Sequence, residues 1–389
     1  MKKSILAIMT EHSEQILSGV VAGFDVFVLL RAARENGFAV HIASSEARLE
    51  FLKNMLSVVA PDVHVLSFPA WDTIPYDRVS PNPMIESERL DALSCLANES
   101  FVEATIVLTC ASAVLQKVPP LDFFKGKTLS FEIGDTLDIT QVQKFLNQNG
   151  YVRTEQVVQS GEYALRGGII DVFASGAEEG YRLDLFGDVL ESIRLFDPAT
   201  QKTTATVQKF ILKPMSEYVL DEQTISSFRT RYRSLASGQT AGDMLYESIS
   251  AGRKISGLEH WLPLFFEQMD TFFDYLPTNS VVYLDENLSE AFLSRQTQIF
   301  EYYQSRLDAL KSKDKFENVY YPVPPDSFFL DKTLLQKKLS LFDRFVFSSF
   351  ISPQTQDLGS RVGETFAADR MAGNVFEKLA NFIKQHQNL

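Results

Sequence analysis

Residues 161–197, GEYALRGGIIDVFASGAEEGYRLDLFGDVLESIRLFD, alternate apolar and polar side chains in a pattern that predicts β-strands. Successive side chains of a strand point to opposite faces of a sheet. One face of residues 181–186 therefore carries an apolar set: Tyr181, Leu183 and Leu185. The opposite face carries an arginine, a carboxylate and a large ring: Arg182, Asp184 and Phe186. The first face predicts a core, and the second has a composition typical of protein-protein hot spots.

The Gly-Asp pair at positions 187–188 separates two alternating runs, so a tight two-residue hairpin is predicted there. Two interpretations of the polar face stay open. In one, Arg182 and Asp184 pair with each other on a solvated surface and Phe186 caps a minor core. In the other, the face binds a protein partner.

A further strand is predicted upstream of this hairpin. Arg166 precedes a Gly-Gly pair that permits positive φ or a bulge, and residues 169–173 then form the next strand. Arg166 is therefore expected at a strand edge near Arg182.

Residues 161–173, GEYALRGGIIDVF, and residues 181–197, YRLDLFGDVLESIRLFD, resemble the domain of the excision-repair protein UvrB that docks on UvrA. They also resemble its counterpart in the bacterial transcription-repair coupling factors. Residues 68–93, FPAWDTIPYDRVSPNPMIESERLDAL, resemble the coupling-factor family more closely than UvrB. Residues 257–266, GLEHWLPLFF, follow in the family's order. We therefore interpret the chain as the N-terminal, UvrB-like part of a coupling factor.

The resemblance implies a protein-binding site for UvrA at Arg166, Arg182 and Phe186, with Arg194 on the neighbouring strand beside them. The arginines are expected to meet carboxylates of UvrA, and the ring to fill a pocket. The substitution Arg182→Glu is then expected to abolish UvrA binding without changing the thermal midpoint. In the whole family member, the resemblance implies that a C-terminal domain masks this patch.

The expected fold is α/β, with degenerate P-loop, helicase-like (UvrB-like) parallel-sheet domains and an inserted small mixed α+β domain. Residues 1–118 are predicted as domain 1a, 119–213 as the UvrA-binding domain and 214–350 as domain 1b. Residues 351–389 are predicted as a linker and the first helix of a next domain. The resemblance places an RNA-polymerase-binding domain and a double-stranded-DNA translocase motor, with its ATP and Mg²⁺, beyond Leu389.

A strand-to-helix turn suited to phosphates is expected at residues 18–27, SGVVAGFDVF. It has two glycines, Gly19 and Gly23, but no lysine and no Ser/Thr after the second glycine. Without the lysine the β- and γ-phosphates lose their charge partner, and Asp25 would repel a polyanion. ATP hydrolysis is therefore not expected here, and no catalytic residue or cofactor is predicted for this chain.

An acidic pair, Asp285 and Glu286, follows the strand-like run at 280–284. This is where a Walker B pair would bind Mg²⁺ in an active nucleotide site. The pair is equally typical of a loop start or a helix cap. The sequence thus predicts at most the remnant of a nucleotide site, made of Gly19, Gly23 and these two carboxylates.

Composition limits the function further. The 389 residues carry a formal charge of −13, and no segment is basic, so direct DNA binding is not expected. The two cysteines, Cys95 and Cys110, lie in apolar runs and indicate reduced thiols in a cytoplasmic protein. The five histidines stand far apart and predict no metal site. No apolar run is long enough for a membrane helix.

The last part of the chain has a different pattern. Residues 351–366 are polar and contain Gly, Pro and Ser, which predicts a linker. The helix predicted after them has an apolar stripe of Val375, Phe376, Leu379, Phe382 and Ile383.

Two hypotheses of function follow. The first is a recruitment module that binds UvrA. The second is a nucleic-acid-dependent ATPase or helicase domain of the UvrB type, which binding of ATP with Mg²⁺ would distinguish. A divergent UvrB is disfavoured because the lysine and a long aromatic hairpin insertion are missing.

Overall fold

The computed structural model describes residues 14–99, 101, 104–311, 319–353, 355–362 and 375–385. Its strands in chain order are β1 Glu14–Ser18, β2 Phe38–Ala43, β3 His64–Phe68, β4 Thr105–Cys110, β5 Leu129–Glu132, β6 Val152–Arg153, β7 Glu162–Arg166, β8 Ile169–Val172, β9 Gly180–Phe186, β10 Val189–Phe196, β11 Thr203–Val207, β12 Lys209–Leu212, β13 Val281–Leu284, β14 Asp343–Phe347 and β15 Gln356–Asp357.

The helices are α1 Phe24–Asn36, α2 Glu46–Val59, α3 Pro83–Ala97, α4 Ala111–Leu115, α5 Leu121–Phe124, α6 Ile139–Gln148, α7 Glu222–Leu235, α8 Met244–Ser250, α9 Leu288–Lys311, α10 Pro325–Phe328, α11 Lys332–Leu339 and α12 Val375–Gln385. Two 3₁₀ helices cover Leu258–Leu264 and Phe272–Tyr275. None of the described helices is long and apolar enough to cross a membrane.

A seven-stranded parallel sheet has the order β15-β1-β14-β13-β2-β4-β3. Its strands come from two stretches of chain, one before residue 111 and one after residue 280. Central strands β2 and β4 are buried almost throughout, as expected for parallel strands covered on both faces. The α/β class predicted from the sequence is therefore confirmed.

Helix α1 shows how local sequence sets these elements. The apolar spacing of residues 24–36 predicts this helix with the same bounds. Gly37 ends it with φ 78°, in the left-handed region that glycine adopts without strain. Helix α2 begins at Glu46 and is capped by Ser45, whose side chain accepts a hydrogen bond from the Arg48 N–H.

The chain between residues 129 and 212 forms two further sheets. The larger has the order β11-β10-β9-β8-β7-β6 and is mixed, because β6 pairs with β7 in parallel and the other pairs are antiparallel. The smaller joins β5 and β12. Tyr181 of β9 stacks on Phe210 of β12 with ring centroids 4.1 Å apart, so the two sheets share a core. A small mixed domain is thus inserted into the parallel-sheet fold, although its predicted boundaries at 118 and 213 remain predictions.

The predicted hairpin is confirmed: Phe186 pairs with Val189, and Gly187 has φ 68°. Leu183 on the inner face is 2% exposed, and Ile193 opposite it is fully buried.

Three predicted elements are shorter than the sequence suggested. The sequence pattern predicts a helix over residues 216–233, but α7 begins only at Glu222, because Asp221 and Thr224 form a capping box. The sequence pattern predicts a strand over residues 153–158, but β6 ends at Arg153, after which the Thr154 hydroxyl donates to the Gln156 carbonyl. The sequence pattern predicts one strand over residues 207–212, but these residues belong to two strands, β11 and β12, in different sheets.

The predicted linker contributes a strand. Residues 356–357 pair with β1 at the edge of the seven-stranded sheet, with Leu17 opposite Gln356 and Ser18 opposite Asp357. Helix α12 forms as predicted from its spacing, and Leu379 and Ile383 of its apolar stripe are exposed. The side chains of Val375 and Phe376 lie outside the described residues.

Candidate functional site

The outer face of the six-stranded sheet carries the predicted binding residues. Side chains directly opposite each other on antiparallel strands share a face. Ile169 lies opposite both Arg166 and Asp184, so these three form one row across β7, β8 and β9. Phe186, two residues beyond Asp184, lies on the same face.

The end of this face at the hairpin is apolar and exposed. Phe186 is 75% exposed, its cross-strand neighbour Val189 39%, and Ile169 of β8 36%. Arg166 is also exposed, and its guanidinium contacts the Glu155 carbonyl. We call these four residues the hairpin-tip patch; it combines a ring, two aliphatic side chains and one cation.

The next row holds Arg182, which faces a carboxylate of its own chain. Its Nε and Nη2 donate to the two carboxylate oxygens of Asp171 at 2.7 and 2.8 Å. The Asp171 side chain is only 4% exposed, and the guanidinium also lies 4.8 Å from the centroid of the Phe196 ring. Hydrogen bonding to Asp171 raises the pKa of Arg182 above its ordinary value, so the guanidinium stays charged. The ion pair holds it against the sheet.

Arg194 is held in a similar way. Its Nε donates to Asp184 Oδ2 at 2.8 Å, and the Ser192 hydroxyl donates to the same oxygen at 2.7 Å. The Arg194 side chain keeps 37% of its surface exposed, about twice the exposed fraction of Arg182.

The simple solvated pairing considered from the sequence is therefore wrong in both of its parts. Arg182 pairs with Asp171 and not with Asp184. The ring that caps the minor core on this face is Phe196, which is fully buried with Val157, Ala164 and Phe173, whereas Phe186 projects into solvent.

Sequence reasoning missed Asp171, Ile169 and Val189. The alternation of side chains along residues 169–172 was visible in the sequence. It places Ile169 and Asp171 on the same face of the sheet as Arg182. Only the strand order shows that β8 lies between β7 and β9 and presents a carboxylate to Arg182.

The second candidate site is the turn between β1 and α1. Gly19 and Gly23 both have positive φ, 63° and 94°, as the sequence pattern suggested for a turn. The amide groups that would receive a phosphate are taken by the chain itself: Asp25 Oδ1 accepts from Gly23 N at 3.0 Å and Val26 N at 2.9 Å. Asp25 is 1% exposed and therefore replaces an anionic ligand with a fixed internal carboxylate.

Arg48 of α2 connects this carboxylate to Asp285. Its Nη2 forms an ion pair with Asp25, and its Nε lies 3.7 Å from Asp285 Oδ2. Asp285 also accepts hydrogen bonds from the Ser44 N–H at 2.8 Å and its hydroxyl at 3.0 Å, and His41 Nε2 lies 3.2 Å from Oδ1. Asp25, at the predicted phosphate position, and Asp285, at the predicted Mg²⁺ position, thus share one arginine.

Burial alone would raise the pKa of Asp285, but the neighbouring His41 ring, the Ser44 N–H and the Arg48 charge outweigh burial and hold the pKa at about 2. The ordinary value is 3.8, so the stabilisation from this carboxylate is complete above about pH 4 and is lost as the pH falls towards 2.

The other two residues of the predicted nucleotide remnant are also engaged. Glu286 is exposed and accepts from the Ser348 hydroxyl at 2.9 Å. Gly19 packs closely against β15 and the residues that follow it. Its carbonyl accepts a hydrogen bond from Ser360 N at 3.1 Å, and a side chain at position 19 would collide with the Asp357 carboxylate. Within the described ranges, His, Cys, Asp and Glu side chains form no group of three suited to a metal ion.

Comparison with known proteins agrees with this architecture. Residues 129–218 match the family described as the UvrB interaction domain, which covers the six-stranded sheet and the two-stranded sheet beside it. Transcription-repair-coupling factors match most of the chain: that of Rickettsia bellii is 32% identical over 89% of this chain, and that of Haemophilus influenzae 32% identical over 87%.

The chain belongs to the transcription-repair coupling factor family. The factor of Escherichia coli is also 32% identical, over 69% of the chain. The chain spans about 30% of the length of the curated relatives it matches. The hairpin-tip patch lies inside the segment of this coupling-factor chain that matches the UvrB interaction domain.

We expect Arg182→Glu to lower stability, in contrast to the unchanged thermal midpoint expected from the sequence. The new carboxylate would face Asp171, which is nearly buried, and we expect a loss of roughly 3 kcal/mol in the free energy of unfolding. Urea denaturation measures this loss. An unchanged midpoint would show that the Arg182-Asp171 pair is not a structural contact.

We expect Arg48→Ala to cost about 2 kcal/mol or more, because it leaves two buried carboxylates without their shared cation. The control is Arg31→Ala, which removes an exposed pair with Glu35 on α1 and should change stability by less than about 0.5 kcal/mol. Equal urea midpoints for the two variants would contradict the proposed bridge.

Proposed function

We propose that this chain is the repair-recruitment module of a transcription-repair coupling factor and that it binds UvrA through the hairpin-tip patch. The observation that carries the proposal is the ring of Phe186, 75% exposed at the end of a rigid two-strand hairpin. The match of residues 129–218 to the UvrB interaction domain supports the same partner.

The chemistry of the patch suits a protein interface. Phe186, Val189 and Ile169 supply apolar area next to one exposed cation, Arg166. Aromatic and arginine side chains carry most of the binding energy in many interfaces, and a ring held on a hairpin loses little conformational freedom on binding.

The other two arginines have a different role in this proposal. Arg182 and Arg194 are paired with Asp171 and Asp184, so they orient the face and set its local charge. The Arg194 side chain is more exposed than that of Arg182, so in this proposal UvrA contacts Arg194 more readily than Arg182.

In the whole protein, we propose that this module brings nucleotide excision repair to RNA polymerase stalled at a DNA lesion. Polymerase contact, double-stranded-DNA contact and ATP-driven translocation would then belong to other domains of the protein, in the cytoplasm. This chain itself is proposed to be catalytically inactive, which the internal Asp25-Arg48-Asp285 bridge supports. Its charge of −13 disfavours direct DNA binding.

We expect Phe186→Ala to weaken UvrA binding by about 10- to 100-fold, because the ring is the largest apolar group of the patch. Biolayer interferometry with immobilised UvrA measures the affinity. The thermal midpoint should not change, since the ring makes little contact within the chain.

Phe350→Ala is a matched control. Phe350 is also 75% exposed but follows β14 of the parallel sheet, so its loss should leave UvrA affinity unchanged. Wild-type affinity of the Phe186→Ala protein would refute the proposed interface.

The alternative, a nucleic-acid-dependent ATPase or helicase domain, is tested by calorimetric titration with ATP and Mg²⁺. We expect no saturable heat, because Asp25 already occupies the amide groups of the α1 N-terminus and would repel phosphates. An affinity of about 1–100 μM would instead favour the enzyme.

A further inference from the structure

Two arginines on helix α7 lie side by side without an acidic partner. Arg229 and Arg233 are four residues apart, so their side chains share one face of the helix. Both are exposed, and neither forms an ion pair with a carboxylate of the described residues. The chain has 50 acidic and 37 basic residues, so carboxylates outnumber the cations that they can pair with. Like charges at this spacing repel each other, and a bound anion would relieve the repulsion.

Both guanidinium groups lie against Tyr246 of helix α8. Nε of Arg229 donates to the Tyr246 hydroxyl at 3.4 Å, and the Arg233 guanidinium lies 5.4 Å from the centroid of the Tyr246 ring. Tyr246 is 8% exposed, and its ring lies 6.0 Å from that of Tyr232, so packing fixes the position of the phenol. Its hydroxyl donates a hydrogen bond to none of the described residues. Two cations and one hydroxyl donor thus meet at the surface between α7 and α8.

The acidic residues at the start of α8 are used within the chain. Asp243 caps the helix: it accepts from the Tyr246 N–H at 3.0 Å and from the Tyr232 hydroxyl at 2.6 Å. Glu247 accepts from the Gly242 N–H at 3.2 Å. Neither carboxylate forms an ion pair with the two arginines, so the guanidinium groups keep donors for an anion from solution.

The arginines also change the acidity of the phenol. Burial by itself would raise the pKa of Tyr246, but the hydrogen bond from Arg229 and the charge of Arg233 lower the pKa below its ordinary value of 10.0. The surroundings of the phenol oxygen therefore stabilise negative charge. An external anion placed beside this oxygen gains the same stabilisation.

The number of donors indicates the kind of anion. A guanidinium presents two parallel N–H groups to an oxyanion, so two of them with one phenol hydroxyl offer about five donors. A carboxylate has only two oxygens, whereas a phosphate dianion has at least three terminal oxygens and about twice the charge. Phosphate therefore satisfies this set of donors more completely than a carboxylate does.

We propose that Arg229, Arg233 and Tyr246 form a binding site for a phosphate dianion at the surface between α7 and α8. The two guanidinium groups hold phosphate oxygens through parallel N–H donors, and the Tyr246 hydroxyl donates to a further oxygen. The bound anion joins the two helices and stabilises the folded chain by mass action. Both helices follow the inserted domain in the chain, so this site is separate from the hairpin-tip patch.

The test follows the ultraviolet absorbance of ionised tyrosine in the whole chain as the pH is raised. The difference between the wild type and the Tyr246→Phe variant isolates this phenol. Inorganic phosphate is the probe, and sodium chloride at equal ionic strength is the reference. We expect phosphate at about 20 mM to raise the titration midpoint of Tyr246 by roughly 0.5 pH units or more, because the bound dianion disfavours the phenolate.

The dependence of this shift on phosphate concentration gives the affinity, which we expect at a Kd of about 1–10 mM. Binding this weak produces no saturable heat at the micromolar concentrations that distinguish an ATPase. Glycerol 3-phosphate, titrated in the same way, distinguishes the source of the phosphate group. Equal or tighter binding of the ester supports an ester ligand, and binding weaker by about tenfold supports the free ion.

Arg229→Gln and Arg233→Gln should each weaken phosphate binding by about tenfold or more, since each removes one charge-assisted contact. Phosphate should also raise the thermal midpoint of the wild type, and both variants should lose this rise. The matched control is Arg153→Gln, which removes an exposed arginine of β6 and should keep the wild-type affinity. Thermal melts in chloride verify that all variants fold.

The proposal is overturned if phosphate at about 50 mM leaves the Tyr246 midpoint where chloride leaves it. It is also overturned if acetate, a monoanion with two oxygens, shifts the midpoint as much as phosphate at equal ionic strength, since screening alone would then explain the effect. UvrA takes no part in these titrations, so their result is independent of the proposed function.

Discussion

The parallel sheet depends on the pairing of strands that lie far apart in the chain. Strand β13 pairs with β2, and β14 pairs with β1, although about 240 and about 330 residues separate their starts. Arg48 fixes this arrangement at one end of the strands, since it joins Asp25 after β1 to Asp285 after β13. The same contact fills the position where a nucleotide-binding sheet would hold phosphate and metal. The same arginine therefore joins the two parts of the divided sheet and neutralises both carboxylates.

Internal ion pairs also organise the outer face of the inserted domain. Two arginines are paired with carboxylates of neighbouring strands, Arg182 with Asp171 and Arg194 with Asp184. Internal pairing leaves the face orderly and nearly neutral in its middle, and moves the exposed apolar surface to the hairpin end at Phe186. A partner would therefore meet a preorganised ring and an adjacent cation, Arg166, on a surface that needs little rearrangement.

The parallel sheet and the six-stranded sheet differ in where their charged and apolar groups lie. The parallel sheet carries internal ion pairs of Arg48 with Asp25 and Asp285 at one end of its strands. The six-stranded sheet carries the exposed surface. Where the chain leaves the inserted domain after β12, the buried Glu217 Oε2 accepts no hydrogen bond from the described part of the chain.

Sequence by itself determined the local elements and the family. Helix α1 with its Gly37 end, the hairpin at 187–188 and the missing lysine near Gly23 all follow from residue types and spacing, because caps, turns and phosphate contacts are local. Tertiary structure alone decided the partners of the charged groups. Asp171 and Arg182 meet because β8 and β9 are neighbours in register, and strand order depends on packing between distant segments, which the spacing of residues along the chain does not encode.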